Sequence, residues 1–223
     1  MIDGLLQIIA PHHCCGCGKI GTLLCQNCKY DIISEPFVLC IACGTALSGK
    51  SGICAGCTVP YSRAWCVGQR QEVLERLIDS YKFSNARSAF KSLAGLFDEY
   101  LPTMPANVVV VPIPTVNAHI RQRGYDHMAL IARCFAKQRK LKIDTSLLSR
   151  ITTTRQRDAG RRVRTAQAKV AFACNKQLDP DTIYLLLDDV VTTGATLKYA
   201  TKTLKGNGAQ TVWVTSISRQ TLD

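Results

Sequence analysis

Residues 185–196 read Leu-Leu-Leu-Asp-Asp-Val-Val-Thr-Thr-Gly-Ala-Thr, and no other stretch constrains the fold of this chain as tightly. Three aliphatic residues run into adjacent carboxylates, Asp188 and Asp189. A hydroxyl- and glycine-rich turn follows and opens into the amphipathic run 197–204. The order is that of a buried strand, a phosphate-sized turn and a helix N-terminus. Amides at such a turn, with the helix dipole behind them, make an anion site. Gly194 lets the backbone come close to a ligand, and the hydroxyls of Thr192, Thr193 and Thr196 add donors. Asp188 and Asp189 stand just short of the turn, where they can accept hydrogen bonds from a ribose diol. A ribose 5-phosphate moiety would satisfy both halves. The bland alternative is a strand-to-helix turn with incidental acids and threonines, and the strand context argues against it.

The N-terminal quarter is built on different chemistry. Eight of the twelve cysteines form four Cys-x-x-Cys pairs: Cys14/Cys17, Cys25/Cys28, Cys40/Cys43 and Cys54/Cys57. Two-residue spacing lets both thiolates of a knuckle face one tetrahedral ion, so four knuckles suffice for two tetrathiolate zinc sites. The segment is too short and too poor in bulky residues to build a core alone, so metal would do the folding. A disulfide framework would need an oxidising compartment, and redox dithiols suit four regular pairs less well than structure does. Sequential pairing of the knuckles is the expectation over a cross-brace, although spacing does not decide it. His12, His13 and Cys15 flank the first knuckle and are reserve ligands.

After residue 62 the pattern changes to that of an α/β domain, giving a division into a cysteine module over residues 1–60 and a body over 61–223. Strands are expected at 64–68, 107–112, 142–143, 147–151, 182–187 and 211–217, with helices through Val73–Tyr81 spacing, Phe90–Tyr100 spacing, 126–139 and 195–205. Residues 119–124 read as a basic turn. Continuous apolar strands alternating with helices argue for a parallel sheet flanked by helices, whose ligands bind beyond the carboxyl ends of the strands. Pro112 and the acid pair both fall there.

The chain carries a net charge of +12, and its distribution matters more than its size. Residues 119–176 hold fifteen Lys and Arg against three acids, Asp126, Asp144 and Asp158, while the remainder holds thirteen against thirteen. Such a field attracts polyanions: diphosphates, nucleic acid or an anionic membrane. Within it, Arg155, Arg157, Arg161, Arg162 and Arg164 have few large apolar neighbours, which suits a mobile lid, a nucleic-acid contact or both. Arg121 and Arg123, following the loop after Pro112, are candidates for a diphosphate, and Lys82 can reach the same anions. Leu5, Leu6, Ile8 and Ile9 make an apolar patch without a basic n-region or cleavage site, so a cytoplasmic protein without a membrane span is expected.

Residues 185–196 closely resemble the phosphoribosyl-diphosphate (PRPP) signature of the type I phosphoribosyltransferases. The resemblance implies PRPP binding by Asp188, Asp189, Val190, Thr192, Thr193, Gly194, Ala195 and Thr196, with Asp188 and Asp189 also the catalytic pair and Mg2+ accompanying PRPP. A cysteine-rich start ahead of such a body is similar to the ComF family, whose members include competence proteins and GntX-like proteins. Further motifs agree in order: Tyr81-Lys82-Phe83; Val111-Pro112-Ile113-Pro114; Arg121-Gln122-Arg123-Gly124-Tyr125-Asp126; Thr153 and Gln156, then Arg164, then Ala171-Phe172. Asp126 and Gln167 stand where the family usually has Asn, and Ala159 where it usually has Leu. The resemblance implies a PRPP-binding, phosphoribosyltransferase-like protein with a double zinc ribbon that assists uptake of single-stranded DNA in natural transformation, alongside DNA-uptake proteins. The alternative is a metabolic phosphoribosyltransferase that joins PRPP to a nitrogenous base in nucleotide salvage.

Overall fold

The computed structural model describes residues 11–35, 37–47, 52–84, 86–151 and 171–220. Its centre is a five-stranded, all-parallel sheet of β1 (Arg63–Gln69), β2 (Val108–Pro112), β3 (Lys142–Ile143), β6 (Ile183–Val191) and β7 (Thr211–Arg219), in the order β1-β7-β6-β2-β3. The expected parallel α/β sheet flanked by helices, with a cysteine module ahead of it, is therefore what the chain forms. From β2 the chain moves outward to β3, then later returns to build β6 and β7 on the other side. The switch point lies between β2 and β6, and the crevice beyond the strand ends at a switch point is the ligand position of such sheets.

Both faces of the sheet are covered, which is why its strands read as unbroken apolar runs. One face packs Val108, Val110, Leu185 and Leu187 against Leu77 of α2 (Glu72–Phe83), Phe97 of α3 (Ala89–Tyr100) and Phe135 of α5 (His127–Arg139). The other packs Val111, Leu186, Val212 and Val214 against Leu197, Ala200 and Leu204 of α6 (Ala195–Gly206). That second core also takes Leu148 and Phe172 from an antiparallel ribbon of β4 (Leu148–Ile151) and β5 (Ala171–Cys174). The cysteine-rich segment joins both cores: Leu23 and Leu24 enter the first, Ile41 the second.

Local chemistry sets the helix ends. In α2, Leu74, Leu77, Ile78 and Tyr81 are buried at helical spacing, and Glu72 and Glu75 occupy the first turn, where the dipole favours acids. Asp126 caps α5, its carboxylate accepting from the Ala129 amide, and Lys137 and Arg139 sit in the last turn.

Three elements differ from expectation. The supposed basic turn is a helix, α4 (Asn117–Arg123), closed by Gly124 at φ 76°. Its Ala, Arg and Gln residues are good helix formers, and the left-handed glycine supplies the stop. A helix α1 (Gln26–Ser34) follows the second knuckle, with the Cys25 side chain accepting from the Cys28 amide as its cap. Finally, β6 does not end at residue 187 but runs through both acids to Val191, because β7 continues alongside it to pair Asp188 with Ser216 and Val191 with Arg219.

Candidate ligand cleft and metal clusters

A cleft of about 390 Å3 opens beyond the ends of β2 and β6. Its lining includes Asp188 and Asp189, the loop after β2 (Ile113, Pro114, Thr115 and Val116), Lys82 and Phe83 at the end of α2, and Arg123, His127 and Arg150. Alternation along β6 places Asp189 on the side of Leu185 and Leu187, beneath α2 and α5, and Asp188 on the side of Leu186. Each residue is only 8% exposed.

Their surroundings drive the two carboxyls apart. Burial alone would raise Asp189, but His127 and Lys82, each 2.7 Å from Oδ2, hold it well below the usual carboxylate range. Asp188 is pushed up to about 7, by burial first and then by the charge of Asp189; the Asp189 amide donating to Oδ1 at 3.0 Å opposes the rise. The site thus holds one permanent anion and one group that changes charge near neutrality, a division suited to holding hydroxyls or a divalent cation.

A positioning network stands behind Asp189. Arg123 donates from Nη1 to His127 Nδ1 (3.2 Å) and from Nε to the Lys82 carbonyl (2.9 Å). A guanidinium can only donate, so Nδ1 keeps its lone pair and Nε2 carries the proton given to Asp189. Tyr81 anchors the His127 backbone by donating to its carbonyl at 2.9 Å, and the two rings meet edge-on with centroids 6.0 Å apart. Thr115 gives its proton to Asp126 at 2.7 Å and lies 3.1 Å from Nδ1. Arg150 donates to the Pro114 carbonyl at 2.7 Å and stacks on Phe172, 5.3 Å from the ring centroid.

The turn after β6 stands apart from this cleft lining. Thr192 and Thr193 are exposed; Gly194, Ala195 and Thr196 are half-buried. Gly194, the cap residue of α6, has φ 72° and no side chain to offer, and the Ala195 amide donates to Thr193 Oγ1 at 3.4 Å. The other first-turn amides have no intrahelical partner and suit an anion. A Cβ on Gly194 would lie 3.6 Å from the Ala42 Cα and 3.7 Å from the Ile41 carbonyl oxygen, so the glycine faces the third knuckle.

The eight paired cysteines gather into two groups, Cys14/Cys17/Cys25/Cys28 and Cys40/Cys43/Cys54/Cys57, with ligand atoms within 4.8 Å of one another. The pairing is sequential. Sulfur separations of 3.6 Å between Cys17 and Cys25 and between Cys43 and Cys54 match the roughly 3.8 Å edge of a tetrahedral zinc–thiolate site. The two groups repeat one design. Gly18 (φ 75°) and Gly44 (φ 81°) follow the second cysteine of their knuckles, and isolated bridges His13↔Ile20 and Leu39↔Ala46 close the loops. Amides point at sulfur in both, from Cys25 to Cys14 and from Cys54 to Cys40, each at 3.3 Å. These donor sets fit structural zinc. His12 instead meets Ser88 at 2.9 Å, His13 meets the Gly18 carbonyl, and Cys15 lies 4.0 Å from Ser80.

The structure brings Lys82, Arg123, Asp188 and Asp189 together at the cleft, with Pro112 at the end of β2 in register with Leu187. Val190 lies in β6, and Arg121 is exposed on α4 without lining the cleft. Arg155, Arg157, Arg161, Arg162 and Arg164 lie outside the described residues. Sequence reasoning passed over His127, Thr115 and Arg150. A histidine directly after the α5 cap, in the basic stretch, was the available signal for the first. A larger cavity, about 600 Å3 beside the first cysteine group, is lined by three acids, Asp31, Glu35 and Glu72, against one cation, Arg76, a balance that disfavours anions.

Fold and site together define an α/β protein with an acid pair at the sheet's switch point and two tetracysteine groups packed on its body. In sequence, the chain is similar to Competence protein F of Haemophilus influenzae, 28% identical over 211 residues that cover 88% of this chain and 90% of the relative. DNA utilization protein YhgH of Salmonella typhi is 24% identical, covering 88% and 96%, and its Salmonella typhimurium counterpart is 25% identical over the same shares. The ComF resemblance drawn from the motifs is thereby borne out along nearly the whole chain. No protein-family model matches it. A hypoxanthine phosphoribosyltransferase from Staphylococcus aureus superposes with a TM-score of 0.35 at 15% identity, over 63% of this chain and 74% of that one, too loosely to carry an argument.

Proposed function

We propose that this chain binds PRPP at the end of β6 and serves the handling of single-stranded DNA in the cytoplasm during natural transformation. The observation that carries the PRPP half is the single strand–turn–helix unit at the switch point, with buried Asp188 and Asp189 ahead of the glycine-led, hydroxyl-rich start of α6. In this reading Asp188 and Asp189 accept the ribose hydroxyls, and Thr192, Thr193, Gly194, Ala195 and Thr196 hold the 5-phosphate. Lys82 and Arg150 face the diphosphate, while Arg123 positions His127. Mg2+, when bound with PRPP, would supply charge neutralisation of the diphosphate beside the acids. The DNA half is supported by the names of the similar proteins and by the charge excess within residues 119–176.

The second reading, transfer of ribose 5-phosphate to a nitrogenous base, is favoured by the same acid pair. Calorimetry with Mg2+ and PRPP tests the shared premise: the native chain should bind, and the double variant Asp188→Ala, Asp189→Ala should not. Unchanged affinity in the double variant means the motif is not the site. Anisotropy with a labelled single strand separates the two readings. Binding should weaken with salt at a slope of about −0.7 per phosphate contacted, and neutralising Arg155, Arg157, Arg161 and Arg162 should flatten that slope. No binding at low salt leaves the metabolic enzyme.

A further inference from the structure

The two cysteine groups are alike in design but differ in what they touch. The first packs beside α2: a Cβ on Gly16 would meet Cys28 and Val73, and Arg76 donates to the Cys15 carbonyl at 2.7 Å. The second reaches the other side of the sheet, where the backbone of Ile41 and Ala42 lies against Gly194. Between that knuckle and the sheet sits Arg219, the final residue of β7, only 3% exposed. It is paired in register with Val191, the residue just before the turn, and the next amide, that of Gln220, donates to the Val191 carbonyl at 2.8 Å. Its guanidinium donates to the Ile41 carbonyl, and its Nη2 would lie 3.1 Å from a Cβ on Gly44.

Arg219 takes part in none of the ion pairs among the described residues, and its buried Nε has no hydrogen-bond partner. A buried cation needs a counter-charge. Four thiolates around one divalent ion carry a net charge of about −2, and the knuckle that Arg219 holds belongs to such a group. In the first group the equivalent carbonyl, that of Cys15, is held by Arg76, which belongs to α2 and not to the strand end beside the turn.

The geometry points to Arg219 as a positioning residue that couples metal loading of the Cys40/Cys43/Cys54/Cys57 group to the shape of the phosphate turn at residues 192–196. The metal charge holds Arg219, Arg219 holds Ile41, and Ile41 with Ala42 forms the wall against which Gly194 is set. Binding at the turn and metal binding at the second group then strengthen each other, while the first group is a fold staple alone. Linkage makes this reciprocal: a ligand that tightens with metal must also tighten metal binding by the same factor. The ligand part rests on the PRPP reading; the coupling of metal to turn does not.

Hydrogen exchange at the amides of residues 192–196 reads the coupling without any ligand. Cys43→Ser opens the second group at an exposed thiol, Cys17→Ser opens the first, and Arg219→Met removes the bridging charge at similar volume. Cys43→Ser and Arg219→Met should each speed exchange at the turn by about tenfold, with Cys17→Ser near the native rate. In parallel, saturating PRPP should raise the chelator concentration needed at equilibrium to strip one zinc equivalent and not the other. Equal exchange in the Cys43 and Cys17 variants overturns the proposal. Should Arg219→Met fail to fold, the two cysteine variants still decide it. If the native chain does not bind PRPP, the ligand reading falls, and the exchange comparison decides the coupling by itself.

Discussion

Adjacent residues of a strand point to opposite faces, and at Asp188 and Asp189 this alternation separates two carboxyls that would otherwise share one environment. Asp189 meets His127 and Lys82; Asp188 meets burial and its neighbour's charge. Because Asp188 rises from 3.8 to about 7, the folded chain keeps that proton over a range in which the unfolded chain releases it. Its contribution to stability is full below about pH 4, shrinks as pH rises, and is gone above about pH 7; Asp189, being lowered, acts in the opposite sense, losing its contribution as pH falls. Asp188→Asn should therefore remove a decline in stability between these limits, measured by urea unfolding at each pH. If ligand binding needs the ionised acid, PRPP affinity in the native chain should tighten as pH rises through about 7 and lose that dependence in the same variant. The acid pair was legible in sequence because one contiguous motif carries it. His127 was not, since its partner lies 62 residues away and only folding joins them. Arg123 was picked out as an anion candidate, but its bonds to the Lys82 carbonyl and to His127 were not legible, since they too depend on folding.

At the scale of elements, period and punctuation located most strands and helices, because β2 and β6 are buried on both faces and α2 and α3 on one. The ends were less legible, since they depend on neighbours: β6 is prolonged through both acids by the register of β7. The turn between β6 and α6 gives a prediction of its own. Gly194→Ala meets only ordinary van der Waals contact with the Ala42 Cα at 3.6 Å, but it must hold φ near 72°. The cost should be about 1 kcal/mol, seen as a modest fall in melting temperature. Gly194→Val, with a branched side chain in that conformation and a knuckle at its back, should lose more and loosen PRPP further. In the strands, Leu185→Ala should cost about 2–5 kcal/mol, since that side chain is fully buried in the first core.

For the molecule as a whole, the cysteine module and the body are physically continuous. Leu23, Leu24 and Ile41 sit inside the two sheet cores, so stripping zinc removes packing from the body as well as order from the knuckles. A strong chelator should lower the melting temperature of the entire protein in one transition. Two separated transitions, the upper unchanged, would show that the body stands alone. None of this was legible from cysteine spacing, which announces metal but not what the metal is folded against. Among the described residues, no helix is long and apolar enough to cross a membrane.

The strand order also sets a timetable. β1 pairs with β7 at six positions, from Arg63 with Trp213 to Gln69 with Arg219, although they are the first and last strands of the sheet along the chain. On a ribosome adding about 5–20 residues per second, β1 emerges on the order of ten seconds or more before its partner. All eight clustered cysteines precede it. Ile41 pairs its amide with the Gly52 carbonyl, and Gly52 in turn lies against the carbonyl of Ala64 in β1. Metal capture can thus be finished while the sheet still lacks its closing strand, and the newborn edge of β1 waits beside folded knuckles rather than naked in solvent. In a zinc-starved cell that interval is when the chain stands most exposed to aggregation, before any ligand has had a chance to bind.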